Sequence, residues 1–309
     1  MYPILFTIPW IHLPIYSYGV MLGLSFIVGW VLIMHLGSID GVAKERLAGC
    51  FIVTAVFAIV GARMLYILTN LEEFQRGGLL RVVDLRKGGL VAYGGFLGGF
   101  LGSWIYMSYY RITLWVFADV VAFALASGLG ITRIGCFLFG CDWGKPIPVS
   151  APEFIKAIGV RFPNWDIQFN GFREISHGLG SALANLHGSP AFLHHVSQGW
   201  VSPNVAFSAY VYPTQLLESL NGWIAFILLL IARKRSRFRG QVFCLFTMYY
   251  GLTRTAMELL RGDTGRGEAG GFSTSQWIGL ATFALSLIVY WVLSRRAAMG
   301  SSVRPGADS

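Results

Sequence analysis

The chain has 309 residues, 55% hydrophobic and only 13% charged, with a formal net charge of +9 and a mean hydropathy of +0.59. A soluble domain carries about 25% charged residues, so this composition excludes a water-soluble globular protein and points to an integral membrane protein. The positive balance requires no nucleic-acid partner, because no basic patch stands on a soluble stretch and cytoplasmic loops of membrane proteins collect Lys and Arg.

Apolar windows of about 20 residues are long enough to cross a hydrocarbon core. They predict seven spans at 16–34, 47–68, 90–110, 113–139, 212–232, 241–260 and 273–294. The first opens on "YSYG", with Tyr18 near its start, and the second carries Arg63 in "GARMLY". The third begins "GGLVAYGGFLGGFLGS", with Tyr93 at its rim. Gly94, Gly98 and Gly102 stand four apart there, the spacing that lets helix backbones approach closely. The fourth span runs through "LWVFADVVAFALASGLGIT" into "RIGCFLFGCDWG" at 133–144, so an arginine and a run of turn residues close it. Residues 145–211 hold most of the prolines and His177, His187, His194 and His195. That insert is too long for a hairpin connection and predicts a small extramembrane head. The fifth span begins "YPTQLLE", where Gln215 and Glu218 share a helix face. In the sixth, Tyr250, Arg254, Glu258 and Arg261 recur at helical spacing and line one face. The glycines at 261–271 lack the strand-turn-helix setting of a phosphate loop and predict a flexible outer loop.

The expected fold is all-α and polytopic. Spans one to four occupy 1–144, an extracytoplasmic head 145–211, spans five to seven 212–296 and a cytoplasmic tail 297–309. Arg233, Lys234, Arg235, Arg237 and Arg239 follow span five, Arg295 and Arg296 follow span seven, and Lys44, Arg46 and Arg111 fall in loops on the same side. That side is assigned to the cytoplasm, which puts the N-terminus and the head outside. The loop 69–89 dissents, with Arg76, Arg81, Arg86 and Lys87 on the outer side. The N-terminus has no basic n-region and no cleavage site, so no removable signal peptide is expected. Cys50, Cys136, Cys141 and Cys244 make no Cys-x-x-Cys pair and no zinc spacing, so no metal is expected.

Three arginines fall inside spans, and each costs about 2.5–3.5 kcal/mol at a helix centre on insertion scales. Counted at 1.5 Å per residue from the cytoplasmic ends, Arg63 lies roughly 24 Å, Arg133 roughly 30 Å and Arg254 roughly 20 Å up. Tyr18, Tyr93, Gln215 and Glu218 stand near the starts of spans that enter from outside. Most polar intramembrane groups therefore share one depth, in the outer leaflet. A cationic, hydrogen-bonding cavity there suits a phospholipid headgroup, whose phosphate pairs with guanidinium forks while its acyl chains stay in lipid.

Several motifs together resemble the bacterial prolipoprotein diacylglyceryl transferase family. "TRIGCFLFGCDWGK" resembles that family's Gly-Arg-Ile-Gly-Asn-Phe hallmark, with Arg133, Ile134, Gly135, Phe137, Gly140, Trp143 and Gly144 matching. "GARMLY", "GGLVAYGG", "YPTQLLE", "YYGLTRTAMELLRGD" and "YSYG" resemble further family segments, and they occur in order from the first span to the last. The resemblance implies a seven-span inner-membrane enzyme, a transferase. It would move diacylglyceryl from phosphatidylglycerol to the lipobox cysteine of a prolipoprotein, form a thioether, release glycerol phosphate and need no cofactor. It implies catalytic roles for Arg133, Arg254 and Tyr93. Substrate-binding roles fall to Tyr18, Arg63, Gly144, Gln215, Glu218, Tyr250, Glu258 and Arg261.

The departures are specific. Cys136 and Phe139 replace the hallmark's two asparagines, and Cys141 replaces its glutamate, with Asp142 adjacent. Tyr93 and Tyr212 stand where many relatives have histidine. The imidazole base is thus absent, and tyrosine, with an ordinary pKa of about 10, is a poor base unless shifted; otherwise the arginines lower the thiol pKa directly. Cys136 and Cys141 read as small apolar residues, or as a disulfide or nucleophile. Alternatives remain at this stage: a glycerophospholipid-dependent transferase with another acceptor, a lipid or small-anion transporter, or a non-catalytic lipid-binding scaffold. A transporter would favour paired repeats and broken helices at the midplane, and neither is evident.

Overall fold

Long uninterrupted apolar segments have only one way to satisfy their backbone in lipid, which is to coil. The computed structural model describes residues 2–8, 10, 13–71, 91–148, 150–168, 187–263 and 267–301, and helices dominate it. They are α1 (Ser17–Ile39), α2 (Lys44–Thr69), α3 (Ala92–Tyr110), α4 (Leu114–Phe139), α5 (Glu153–Ile158), α6 (Trp165–Gln168), α7 (Pro190–Ser197), α8 (Thr214–Lys234), α9 (Gln241–Glu258) and α10 (Thr274–Ser301). Two small antiparallel hairpins are added to the expected all-helical plan. One joins β1 (Ile4–Ile8) to β2 (Leu13–Tyr16), and the other joins β3 (Glu268–Ala269) to β4 (Phe272–Ser273).

Among the described residues, five helices are long and apolar enough to cross a membrane: α1, α2, α4, α8 and α10. The third and sixth predicted spans are also helices, α3 and α9, but less apolar. Glycines and tyrosines dilute α3, and Arg254, Glu258 and the threonines 247, 253 and 255 dilute α9. The chain is a helical membrane protein, and its outward side chains agree: Phe96, Leu97 and Phe100 are each more than 60% exposed, a surface suited to lipid rather than water. The predicted first span ends early, because α1 continues until Gly41 turns the chain at φ +83°. The basic residues at 76, 81, 86 and 87, His177 and the tail 302–309 lie outside the described residues.

The chain divides into two units, residues 30–121 and residues 1–29 with 122–309. In the first, α2 packs on α3 through glycine. A Cβ on Gly94 or Gly98 would strike the main-chain oxygen of Gly61 or Phe57, and one on Gly102 would lie 2.6 Å from Phe57 Cβ. Lipid offers helices no hydrophobic reason to associate, so such close van der Waals fit has to supply it. The expected packing role of Gly94, Gly98 and Gly102 is what the structure shows, with Gly61 as their partner. Thr54 Oγ1 and Ser103 Oγ hydrogen-bond across the same seam at 2.9 Å.

In the second unit, α4 meets α8 where a Cβ on Gly222 would lie 2.6 Å from Gly130 N, and Ser219 Oγ donates to Gly130 O at 2.6 Å. Helices α9 and α10 meet at Gly251 and Gly279. Ser273 and Gln276 form a reciprocal cap at the start of α10: the Ser273 N–H donates to Gln276 Oε1 at 2.9 Å, and the Gln276 N–H to Ser273 Oγ at 3.2 Å. Between α4 and α8 lie the short helices α5, α6 and α7 and a small core of Trp143, Phe162, Ala191 and Val211, with Phe137 and Val160 packed against it. Ser189 caps α7 ahead of Pro190, as a helix start requires.

The glycine seam yields a paired test. Gly98→Ala forces backbone apart and is expected to destabilise the detergent-solubilised protein by about 1–3 kcal/mol. Gly95→Ala meets its nearest atom, Ala58 O, at 3.5 Å and is expected to leave the melting temperature nearly unchanged. Equal melting temperatures for the two variants would contradict the seam.

Candidate active site

The polar intramembrane residues of the second unit gather at one end. Arg133 is in the last two turns of α4, Gln215 and Glu218 are in the first two turns of α8, and Arg254 and Glu258 are in the last two turns of α9. Since α8 runs antiparallel to its neighbours, its start meets their ends, and all these side chains reach one region.

The guanidiniums do not stand alone there. Arg133 pairs with Asp142 Oδ2 through Nη1 at 2.7 Å and with Glu218 Oε2 through Nε at 2.5 Å. Arg261 pairs with the other Asp142 oxygen, with Glu218 Oε1 at 3.4 Å, and with Asp263 at 2.8 and 2.9 Å. Arg254 pairs with Glu258 one turn on at 2.7 Å, stands 3.9 Å from Glu218 and donates to Ser275 Oγ at 3.1 Å. Three arginines thus face four carboxylates, and the side chains of Glu218 and Arg261 are only 5% and 3% exposed. The expected cluster of arginines is thus a lattice of paired charges, with Glu218 and Glu258 among the partners. Burying an unpaired charge is prohibitive, so each arginine carries a counter-charge.

A pocket opens beside this lattice, lined by Arg133, Glu218, Asn221, Tyr250 and Arg254, with Leu129 and Met257 as its apolar wall. Asn221 is held by Tyr249, whose hydroxyl donates to its Oδ1 at 2.5 Å, and Asn221 Nδ2 donates to Thr253 Oγ1 at 3.1 Å. Tyr250 stacks on Phe246 with ring centroids 6.0 Å apart. Gln215 is fully buried. Its Nε2 donates to Cys141 O at 2.7 Å, while its Oε1 accepts no hydrogen bond among the described residues.

The turn after α4 delivers Asp142. Gly140 ends the helix at φ +86°, and the N–H groups of Gly140 and Cys141 both donate to Cys136 O, at 2.8 and 3.1 Å. Asp142 follows at φ +58°, which swings its carboxylate back over Arg133. Thr214 Oγ1 donates to Asp142 O at 2.9 Å. Beyond it, Gly144 bridges antiparallel to Arg261, the Lys145 N–H donates to Leu260 O at 2.7 Å, and the Gly262 N–H to Trp143 O at 3.0 Å. A backbone clasp therefore ties the end of α4 to the end of α9 and holds Arg261 in reach of Asp142. Gly144 serves that clasp, since a Cβ there would lie 2.8 Å from Tyr212 Cβ.

Of the residues singled out in the sequence, Arg133, Gly144, Gln215, Glu218, Tyr250, Arg254, Glu258 and Arg261 come together. Tyr18 packs against the helix face at Gly135, within electrostatic reach of Arg133 and Asp142. Arg63 and Tyr93 belong to the other unit. There the Arg63 guanidinium lies 5.5 Å from the Tyr66 ring centroid, and Tyr93 is 52% exposed. Asp142, Asp263 and Asn221 were missed as site residues. The available signal for the acids was charge balance, because a carboxylate is a common partner of an arginine at membrane depth. His195 is a neutral core residue: burial and the neighbouring His194 bring its pKa down to about 4, and its Nδ1 accepts the Ala209 N–H at 3.2 Å.

Burial opposes ionisation of Asp142, but Arg133 and then Arg261 outweigh it and bring the carboxyl pKa down from 3.8 to about 2. A carboxylate with a depressed folded-state pKa stabilises the fold above its ordinary pKa, and that stability is lost as pH falls through the lower value. Asp142→Asn is therefore expected to lower the melting temperature at neutral pH, with the gap from wild type closing between pH 3.8 and about 2. A gap that persists unchanged at the acid end would disprove the ion-pair assignment.

A family model described as prolipoprotein diacylglyceryl transferase matches residues 3–292. The chain is 29% identical over 292 residues to a phosphatidylglycerol–prolipoprotein diacylglyceryl transferase of Clostridium tetani (strain Massachusetts / E88), covering 94% of this chain and 97% of that protein. It is 28% identical over 278 residues to phosphatidylglycerol–prolipoprotein diacylglyceryl transferase 2 of Clostridium perfringens (strain 13 / Type A), covering 90% and 91%. A phosphatidylglycerol–prolipoprotein diacylglyceryl transferase of Bacillus cytotoxicus is 27% identical over 260 residues, covering 82% of this chain and 80% of that protein. A match that runs over residues 3–292, nearly the whole chain, means that this protein belongs to the prolipoprotein diacylglyceryl transferase family.

Proposed function

We propose that this protein transfers the diacylglyceryl group of phosphatidylglycerol to the cysteine thiol of a prolipoprotein lipobox, forming a thioether and releasing glycerol phosphate. The observation that carries the reading is the pocket beside Arg133 and Arg254, where two guanidiniums meet apolar walls at the end of membrane-length helices. The acceptor sulfur attacks the glycerol carbon that bears the phosphate. A sulfur–carbon bond forms, the carbon–oxygen bond to phosphate breaks, and its electron pair leaves on the phosphate oxygen. Charge develops on the leaving group, so fixed cations aimed at it stabilise the transition state more than the ground state. This chemistry needs no cofactor and no nucleic acid.

The roles follow from position. Arg133 and Arg254 take the phosphate, and Glu218 and Glu258 hold them in place until it arrives. Arg261 and Asp142 brace the lattice. The Oε1 of Gln215, which accepts no hydrogen bond among the described residues, and the hydroxyls of Tyr18 and Tyr250 are suited to the glycerol hydroxyls of the headgroup. Arg63 supports headgroup binding, and Tyr93 is the candidate for moving the thiol proton. The chain spans a bacterial inner membrane seven times, with α3 and α9 as the two less apolar spans. The N-terminus and the 145–211 head lie outside and the C-terminus in the cytoplasm, supported by the basic loops at 233–239 and 295–296.

Arg133→Ala and Arg254→Ala are each expected to abolish diacylglyceryl transfer from labelled phosphatidylglycerol to a lipobox peptide while the folded protein remains in the membrane. Losing one charge-assisted partner of a desolvated anion costs about 2–5 kcal/mol, and near-normal transfer by either variant would end this reading. Tyr93→Phe removes only a hydroxyl. It is expected to slow transfer by roughly 100-fold if that hydroxyl moves the proton. Tyr93→His is expected to remain active with a new pH dependence where imidazole titrates. A fully active Tyr93→Phe enzyme would take Tyr93 out of the chemistry.

A further inference from the structure

Cys136 and Cys141 occupy two particular places in the turn that ends α4. Gly140 sits in the left-handed conformation, and the Cys141 N–H reaches back to Cys136 O, five residues earlier. This is the helix-ending motif in which the side chains at those two positions lie against each other, usually as an apolar contact. Here both are cysteines, and both are free thiols. Their sulfurs and an Asp142 carboxylate oxygen all lie within 4.8 Å of one another, and Cys141 Sγ also stands 3.8 Å from Cys136 O. The Arg133 Nη1 group that pairs with Asp142 also points at Cys136 Sγ, at 3.9 Å. Cys50 and Cys244 are buried in α2 and α9, away from this turn.

Other occupants of this turn fit less well. A divalent cation would have to take Asp142 from two arginines and sit beside them. A diacylglyceryl group on Cys136 would be a thioether, a poor leaving group and so a dead end. Two neighbouring thiols, one of them only partly buried, have a simpler reaction open to them.

We propose that Cys136 and Cys141 form a reversible disulfide, and that the bond loosens the Arg133–Asp142 pair and so slows transfer. The oxidant is a small-molecule or protein disulfide. Cys141, the more exposed sulfur, attacks it and releases one thiol. Cys136 then attacks the mixed disulfide and releases the second. Two cysteine thiols and one oxidant disulfide become one cysteine disulfide and two oxidant thiols, so atoms and electrons balance. Contact with Cys136 and then burial raise the Cys141 pKa, so exchange runs through a small thiolate fraction. It belongs on the scale of minutes to hours when uncatalysed. Closing the bond draws the sulfurs to about 2.05 Å, which pulls Cys136 Sγ from Arg133 and drags the residue beside Asp142. The compartment in which this happens rests on the outward orientation proposed above, whereas the bond rests on the turn alone.

The test uses the full chain in detergent, incubated with oxidised glutathione, denatured, alkylated and read by peptide mass spectrometry. The expected result is one linked product lighter by two hydrogen atoms, with Cys136 and Cys141 both protected from alkylation. Dithiothreitol should reverse it, and Cys50 and Cys244 should remain thiols. Alkylation of both Cys136 and Cys141 after oxidation, or a lasting glutathione adduct on Cys141 with Cys136 free, would overturn the pair. The same samples are assayed for transfer. Oxidation is expected to slow the wild type about tenfold, while Cys141→Ser keeps its rate in either condition. A disulfide that forms without changing the rate would overturn the coupling to Arg133. An inactive reduced wild type would instead count against the proposed function, and the mass measurement would still decide the pair.

Discussion

Glu218 is the group on which the rest of the second unit depends. It enters from α8, and its two oxygens face Arg133 from α4, Arg261 from beyond α9 and, more distantly, Arg254 from α9 itself. An arginine buried near the end of a membrane helix, rather than snorkelling to the interface, needs a partner for its charge, and here one carboxylate serves several helices at once. Removing one member of a buried pair typically costs about 3–5 kcal/mol, because the partner is left uncompensated. The ends of α4, α8 and α9 are therefore tied by charge as well as by small-residue packing, and the backbone clasp at Gly144 and Arg261 closes the same junction from outside.

This internal pairing changes how an anionic headgroup would be bound. A phosphate arriving in the pocket, as proposed, would meet arginines already engaged with carboxylates, and would bind by exchange or by using guanidinium donors the carboxylates leave over. Arg254 suits the second route. Its Nη1 faces Glu258 and its Nη2 faces Ser275, while the guanidinium still borders the pocket. A preorganised fork costs little reorganisation when charge develops, and that favours the transition state over the resting lipid.

The sequence was most legible where one physical demand dominates. Continuous apolar runs had to be helices, and helices 18 to 28 residues long occur at every expected span. The convergence of Arg133, Glu218 and Arg254 followed from counting residues along antiparallel spans, since helical rise converts position into depth. Small-residue spacing disclosed the α3 face but not its partner Gly61, which has no glycine four residues away in α2 to mark it. The acids were harder. Asp142 lies outside its helix, and only the left-handed turn at Gly140 brings it back over Arg133. Asp263 reaches Arg261 across two residues of loop, and no periodicity announces such contacts. The hairpins were invisible for a related reason, because strands of two to five residues at span ends carry no pattern distinct from the flanking apolar runs.

Asp142 also narrows what evolution could place at its position. Its backbone adopts a conformation that glycine, asparagine and aspartate enter readily and other side chains enter at a cost. Of those three, only aspartate bears a charge, and its short side chain bridges Arg133 and Arg261 from directly above the turn. Glutamate would bring the charge but not the conformation, and asparagine or glycine the conformation but not the charge. Shape and electrostatics, each permissive alone, intersect there in a single amino acid.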